Sequence, residues 1–296
     1  MTARFTNKIA FVTGAASGIG LGTVELLIEE GARVIAADIN DEQGAMLAQR
    51  FKDALLFQRC DVTDVAQIKA AVDAGAAHFG GLDIVFNNAG AAGATETLEE
   101  MDFAEWDRTH ALLLRSVAAG TSYAIPHLKA RGGGAVVNTS SVTAFNAGYG
   151  PIAYSSMKAA VKHFTTLAAA ELAQYKIRVN AIAPGFIATS IFGAGMGLDA
   201  AAAKQMGAML ADKFGPIQPA GRAGQPRDIA EAVAYLASDA AGFVTGICLT
   251  VDGGILIGPR HSWDPEAASP MADAMGITPE QLRQMRLLRK AAAAGG

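Results

Sequence analysis

Between the apolar run Ile9-Ala10-Phe11-Val12 and a helical pattern from Leu21 to Glu30, the chain reads Thr13-Gly14-Ala15-Ala16-Ser17-Gly18-Ile19-Gly20. A strand has to become a helix within these eight residues. Three glycines let the backbone turn sharply and approach a ligand without a Cβ clash, and the first N–H groups of the helix lack intrahelical partners. Such a helix start attracts an anion, so a phosphate or pyrophosphate is its natural guest. The spacing, Gly-x-x-x-Gly-x-Gly, departs from the commoner Gly-x-Gly-x-x-Gly dinucleotide fingerprint.

Apolar runs then alternate with stretches of helical period. Strands are expected at about 8–13, 32–38, 54–60, 82–88, 135–140, 177–183 and 247–251. The pattern implies an α/β fold, a doubly wound, seven-stranded parallel sheet with helices on both faces. With 296 residues and 51% hydrophobic content, a single α/β domain over 1–259 is expected, followed by an extension over 260–296. Asn40 with Gln43 forms a capping-box pattern, Thr63-Asp64 opens another helix with Gln67 in its first turn, and Thr278 to Gln281 opens one in the extension. Trp106 to Arg131 and Ile152 to Tyr175 read as two long helices rich in Ala and Leu on several faces, which predicts a homo-oligomer, a dimer or tetramer.

A net charge of −4 gives no general attraction to nucleic acid or anionic lipid, and no apolar run has membrane-spanning length. The start of the chain has no secretory pattern, which makes the cytoplasm the expected compartment. Cys60 and Cys248 lack the paired spacing of a zinc site or disulfide framework, and His110 and His261 lack partners for a metal. No metal is expected.

Asp38 closes the second strand, 18 residues beyond Gly20, where a dinucleotide fold places an acid on the adenosine ribose. A carboxylate there binds the 2′-OH and repels a 2′-phosphate, and neither Ala16 nor Ile39 supplies the positive charge NADP needs. NAD is therefore the expected coenzyme. Tyr154 and Lys158 stand at i and i+4, on one helix face. An ammonium beside a phenol favours the phenolate, which makes Tyr154 a usable acid or base for the proton that must accompany hydride transfer at a carbonyl.

These motifs, taken with the Thr-Gly-x-x-x-Gly-Ile-Gly turn and Asn87-Asn88-Ala89-Gly90 at the end of the fourth strand, resemble the short-chain dehydrogenase/reductase family over about residues 6–255. The resemblance implies a three-layer Rossmann-like fold and an NAD-dependent oxidoreductase. It places Gly14, Ser17, Gly18, Ile19 and Gly20 at the phosphates, Asp38 and Ile39 at the ribose, and Asp61-Val62 beside the adenine. Asn88, Ala89 and Gly90 pass close to the cofactor, and Pro184, Gly185, Ile187 and Thr189 orient the nicotinamide. Ser141, 13 residues before Tyr154, matches the family's serine, with Ser140 one residue out of register. Lys158 also bonds the nicotinamide ribose.

In one place the chain departs from the family. Leu113, within Leu112-Leu113-Leu114, occupies the position where the family usually carries Asn. If that Asn acts through its main-chain carbonyl, Leu113 retains the proton route; if its side chain is essential, the protein is an NAD-binding scaffold or sensor with little turnover. An NADP-dependent ketone reductase is a further alternative, against which Asp38 argues. Residues 186–222 are rich in apolar side chains, among them Ile191, Phe192, Met196, Met206, Met209 and Phe214, and are punctuated by Gly193, Gly195, Gly197 and Gly207. They read either as a lid over an apolar pocket or as a helix pair packed on the core. With Phe145, Asn146 and Tyr149 expected to line the remaining pocket, the substrate is predicted to be a hydrophobic secondary alcohol or ketone, of cyclic or aromatic kind.

Overall fold

Successive residues of a strand face opposite sides of a sheet, and here both sides are apolar. Val12, Val34, Phe86, Val137 and Ile182 face a cluster that includes Val24, Leu27, Ile229 and Val233. Their neighbours Phe11, Ile35, Val85, Val136 and Val179 face Ile68, Val72, Leu128, Ala168 and Leu172. A sheet buried on both faces needs two helical layers.

The computed structural model describes residues 3–191, 193 and 196–294. Its strands are β1 (Ile9–Thr13), β2 (Arg33–Asp38), β3 (Leu55–Arg59), β4 (Ile84–Asn87), β5 (Gly134–Thr139), β6 (Ile177–Pro184) and β7 (Cys248–Val251). They form one seven-stranded sheet in the order β3-β2-β1-β4-β5-β6-β7, and every pairing is parallel. The helices are α1 (Gly18–Glu29), α2 (Asp41–Phe51), α3 (Val65–Phe79), α4 (Phe103–His110), α5 (Ser116–Ala130), α6 (Ile152–Leu172), α7 (Ala200–Phe214), α8 (Pro226–Ala237), α9 (Pro270–Ala274) and α10 (Pro279–Ala294). This is the expected doubly wound α/β architecture. Winding reverses between β1 and β4, so a crevice opens at their carboxyl ends, where such folds bind ligands. Among the described residues no helix is long and apolar enough to cross a membrane.

Local chemistry accounts for the helix starts. Asn40 accepts from Gln43 N at 3.0 Å, but the reciprocal half of the expected capping box is missing because Asn40 N donates to Asp38 instead. Asp64 caps α3 through Ala66 N, and Gln67 Nε2 donates back to Asp64. The first long helix starts three residues before the expected Trp106, since Asp102 caps it through Ala104 N. It is also not uniform: Ala111–Arg115 is a π turn that separates α4 from α5. In the C-terminal segment, Thr278 and Gln281 exchange bonds at 2.8 and 3.2 Å at the start of α10.

At the opposite end of the sheet from the crevice, the buried Asp83 accepts from Ile9 N at 2.9 Å and from Arg131 at 3.1 and 3.2 Å. Removing a buried carboxylate that ties β1 to the end of α5 strands its donors. Asp83→Ala is expected to lower stability by ~2–3 kcal/mol, read from the urea midpoint, and Asp83→Asn, which keeps an acceptor for Ile9, by less.

Candidate active site

The glycine turn is fixed by contacts that leave no room for side chains. A Cβ on Gly20 would lie 1.9 Å from Gly14 O, and one on Gly14, whose φ is +63°, would lie 2.9 Å from Ala89 Cα. The turn is thus pressed against the end of β4. Thr13 Oγ1 accepts from both Asn88 N (2.9 Å) and Ala89 N (3.0 Å), while Asn88 Nδ2 donates to Thr13 O at 3.0 Å. Ser17, at the N-cap of α1, makes no side-chain capping bond. The first N–H groups of α1 are therefore left without a side-chain cap.

At the end of β2, Asp38 Oδ2 accepts from Ala16 N at 2.8 Å and Oδ1 from Asn40 N at 3.0 Å. Each oxygen keeps a lone pair for a further donor. Ile39 beside it is 58% exposed, an apolar surface next to the carboxylate. Asp61 is turned inward on its own loop, accepting from Thr63 N and Thr63 Oγ1 at 2.9 and 2.7 Å, and Val62 is buried.

Ser141, Tyr154 and Lys158 meet above the end of β5. Ser141 caps the short helical turn Val142–Ala144 by accepting from Thr143 N, and its hydroxyl bonds the Tyr154 phenol. Ser140, the out-of-register alternative, spends its hydroxyl on Lys158 O at 2.8 Å. Lys158 is buried, its Nζ donating to Thr139 O at 2.7 Å and standing 5.5 Å from the centroid of the Tyr154 ring. Burial pushes the Lys158 ammonium down to about 8. Burial also pushes the Tyr154 phenol up, with the Ser141 hydrogen bond pulling the other way. Desolvation, rather than attraction by the ammonium, dominates the phenol here.

Leu113 lies inside the π turn, fully buried, its Cδ2 3.1 Å from where a Gly90 Cβ would stand; the same point is 3.9 Å from Lys158 Nζ. An apolar side chain thus packs where Gly90 and Lys158 approach each other. π turns recur at functional sites.

The last expected contact segment follows β6. Ile187 pairs with Gly224 through Gly224 N to Phe186 O (3.0 Å) and Ala188 N to Gly224 O (2.8 Å). In such a parallel bridge Ile187's own N–H and C=O point to the opposite side. Thr189 reaches the glycine turn: a Cβ on Gly18 would be 3.3 Å from Thr189 Cγ2. Helix α7 rests on the same residue, since a Cβ on Gly207 would be 2.3 Å from Thr189 O. Phe186 and Phe214 stack with centroids 4.9 Å apart, joining the segment after β6 to the end of α7. Phe192 and Gly195, two of the apolar and glycine positions expected in the lid, lie outside the described residues.

Sequence reasoning placed Phe145 and Tyr149 in the pocket wall. The Phe145 ring lies 3.9 Å from Lys162 Nζ, on the helical turn after Lys158, and Tyr149 OH donates to Ile255 O at 3.3 Å. Both residues tie the 142–150 loop to its surroundings. Two residues went unnoticed in the sequence: Thr139, whose buried hydroxyl has no hydrogen-bond partner among the described residues, and Gln218, buried beyond the end of α7.

The family profile described as Enoyl-(Acyl carrier protein) reductase matches residues 14–256. Cis-4-hydroxycyclohexanecarboxylate dehydrogenase of Sinomonas cyclohexanicum is 42% identical over 253 residues, covering 84% of this chain and 97% of the relative. The chain belongs to the short-chain dehydrogenase/reductase family. Cyclohexanol dehydrogenase of Acinetobacter sp. (strain SE19) is 35% identical over 260 residues, covering 86% of this chain and 96% of that protein. The solved structure of Thermoplasma acidophilum aldohexose dehydrogenase superposes with a TM-score of 0.78 at 31% identity, covering 91% of this chain and all of that one. As a short-chain dehydrogenase/reductase the protein is an oxidoreductase that works with a nicotinamide dinucleotide. The residues present fit that group: an uncapped helix start for phosphate, a carboxylate with free lone pairs for ribose, and the orphaned Thr139 hydroxyl at the end of β5.

Lys158 titrates near 8 in the folded chain against 10.5 when unperturbed, so between these values the unfolded state binds the extra proton. Stability of the native protein should therefore rise with pH across that window relative to Lys158→Met. Urea midpoints at several pH values check this; parallel profiles would mean that Lys158 is not desolvated.

Proposed function

We propose that the protein is an NAD-dependent dehydrogenase acting on hydrophobic secondary alcohols and the corresponding ketones, alicyclic or aromatic ones preferred. The convergence of Ser141, Tyr154 and Lys158 beside the β1/β4 crevice carries this reading. In it the N-terminus of α1, with Gly14, Ser17, Gly18, Ile19 and Gly20, holds the phosphates. Asp38 binds the adenosine ribose with Ile39 beside it, Asp61 and Val62 flank the adenine, and Asn88, Ala89 and Gly90 form the wall beneath. Pro184, Gly185, Ile187 and Thr189 hold the nicotinamide end and Lys158 its ribose. When bound, the nicotinamide accepts or supplies the hydride.

The chain's own residues manage the proton. Tyr154 takes the hydroxyl proton of an alcohol, or gives one to a ketone oxygen, while Ser141 donates a hydrogen bond to that same oxygen. Because burial raises the Tyr154 phenol, the opposing hydrogen bond from Ser141 is what draws it toward ionisation. The cyclohexane-ring substrates in the names of two relatives support the preference for alicyclic alcohols. Aldohexose, in the name of the structural neighbour, is the polar competitor. Exposed Phe103 and Leu167 on the two long helical stretches support a homo-oligomer.

A panel of cyclic alcohols, polyols and sugars, assayed by NADH absorbance with NAD or NADP, should show turnover of the cyclic alcohols with NAD. Turnover of polyols or sugars alone would overturn the substrate class, and a preference for NADP would overturn the role of Asp38. Tyr154→Phe should lower kcat by at least ~100-fold while leaving NADH binding intact. Leu113 enters as a main-chain group, so Leu113→Asn should change turnover by less than about tenfold, or ~1.4 kcal/mol of barrier. A gain of several orders of magnitude would instead identify the native chain as a weakly active nucleotide-binding protein.

A further inference from the structure

Gln218 is 1% exposed, at the point where the chain returns from α7 toward α8. A buried primary amide costs stability unless its groups are paired, and these are paired to backbone. Gln218 Oε1 accepts from Phe186 N at 3.3 Å, and Nε2 donates to Arg222 O at 3.0 Å and lies 3.5 Å from Phe186 O. The side chain therefore addresses both sides of Phe186, much as a neighbouring strand would. It also borders a cavity of about 160 Å³ that Ile187, Gly224 and Asp252 help to line. An apolar side chain of similar length would fill the same space but would take these partners from Phe186 N and Arg222 O.

Phe186 directly precedes Ile187, whose amide groups point away from Gly224. The Gly224 bridge fixes the spacing of the two segments; Gln218 adds an acceptor on the N–H side of Phe186 and so fixes the rotation of its peptide. We infer that Gln218 is a positioning residue for the nicotinamide end of the coenzyme, aiming the main chain of Ile187 and the hydroxyl of Thr189 by holding Phe186. The inference rests on the reading that Ile187 and Thr189 hold that end.

Two ligands separate the ends of the site: NADH, and ADP-ribose, which lacks the nicotinamide. In the full-length protein, Gln218→Leu should raise the NADH Kd ~10-fold, the worth of one or two lost hydrogen bonds, and change the ADP-ribose Kd less than ~2-fold. Gln218→Glu keeps the acceptor for Phe186 N and should raise the NADH Kd only ~3-fold, which keeps the test decisive if the leucine variant does not fold. Equal weakening of both ligands, or of neither, overturns the inference. Thr189→Val is the control for the underlying reading and should weaken NADH alone. If it does while Gln218→Leu and Gln218→Glu do not, only the role of Gln218 fails; if it leaves NADH affinity unchanged, the assignment of the nicotinamide end fails and the role of Gln218 with it.

Discussion

The junction between Thr13 and Asn88 holds the two halves of the sheet together at the place where its winding reverses. The carboxyl ends of β1 and β4 part there, so their terminal peptide groups have to be satisfied locally. Thr13 Oγ1 does this for two N–H groups at once, and the Asn88 amide returns a bond to Thr13 O. The junction brings the glycine turn to within van der Waals contact of Ala89. It thereby sets the distance between the start of α1 and the residues that follow β4.

Lys158 and Tyr154 show how burial acts on two neighbouring titratable groups. Desolvation moves the lysine down and the phenol up, so both drift toward their neutral forms. A buried lysine paired to a single carbonyl is a cost that a purely structural design would avoid, and perturbed groups of this kind gather where function requires them. The opposing pull of Ser141 on Tyr154 matters because it acts on the phenol oxygen itself. Leu113 places hydrocarbon beside Gly90, close to where Lys158 Nζ donates to the main-chain oxygen of Thr139.

Much of the fold was legible because its determinants are local. Apolar runs located all seven strands, and a spacing of four placed Tyr154 above Lys158 on one helix face. Where local signals competed, the reading slipped. The capping box at Asn40 lost its second half because Asp38, two residues earlier, took the same N–H. The helix thought to begin at Trp106 begins earlier because Asp102 caps it, an acidic residue in a stretch that already held Glu99 and Glu100. The π turn around Leu113 inserts a wider turn into an otherwise regular pattern, and three consecutive leucines carry no phase by which to detect it. Gln218 was invisible for another reason: its partners are backbone groups, at Phe186 32 residues upstream and at Arg222 four residues downstream, and backbone leaves no trace in side-chain composition.

The adjacent serines show how strand register settles what a motif leaves open. Ser140 continues β5, donating its N–H to Ile182 O, and its side chain turns toward α6 to bond Lys158 O. In return Lys158 Nζ donates to Thr139 O. These two bonds, of 2.8 and 2.7 Å, fix the height of α6 against the end of β5. One helical turn toward its N-terminus, Tyr154 is then level with Ser141, which lies one residue further along the extended chain and so points away from the Ser140 side. Slipping the register by one residue would exchange the two hydroxyls between faces and part Ser141 from Tyr154. The two serines are therefore a single device, in which Ser140 sets the geometry that gives Ser141 its partner.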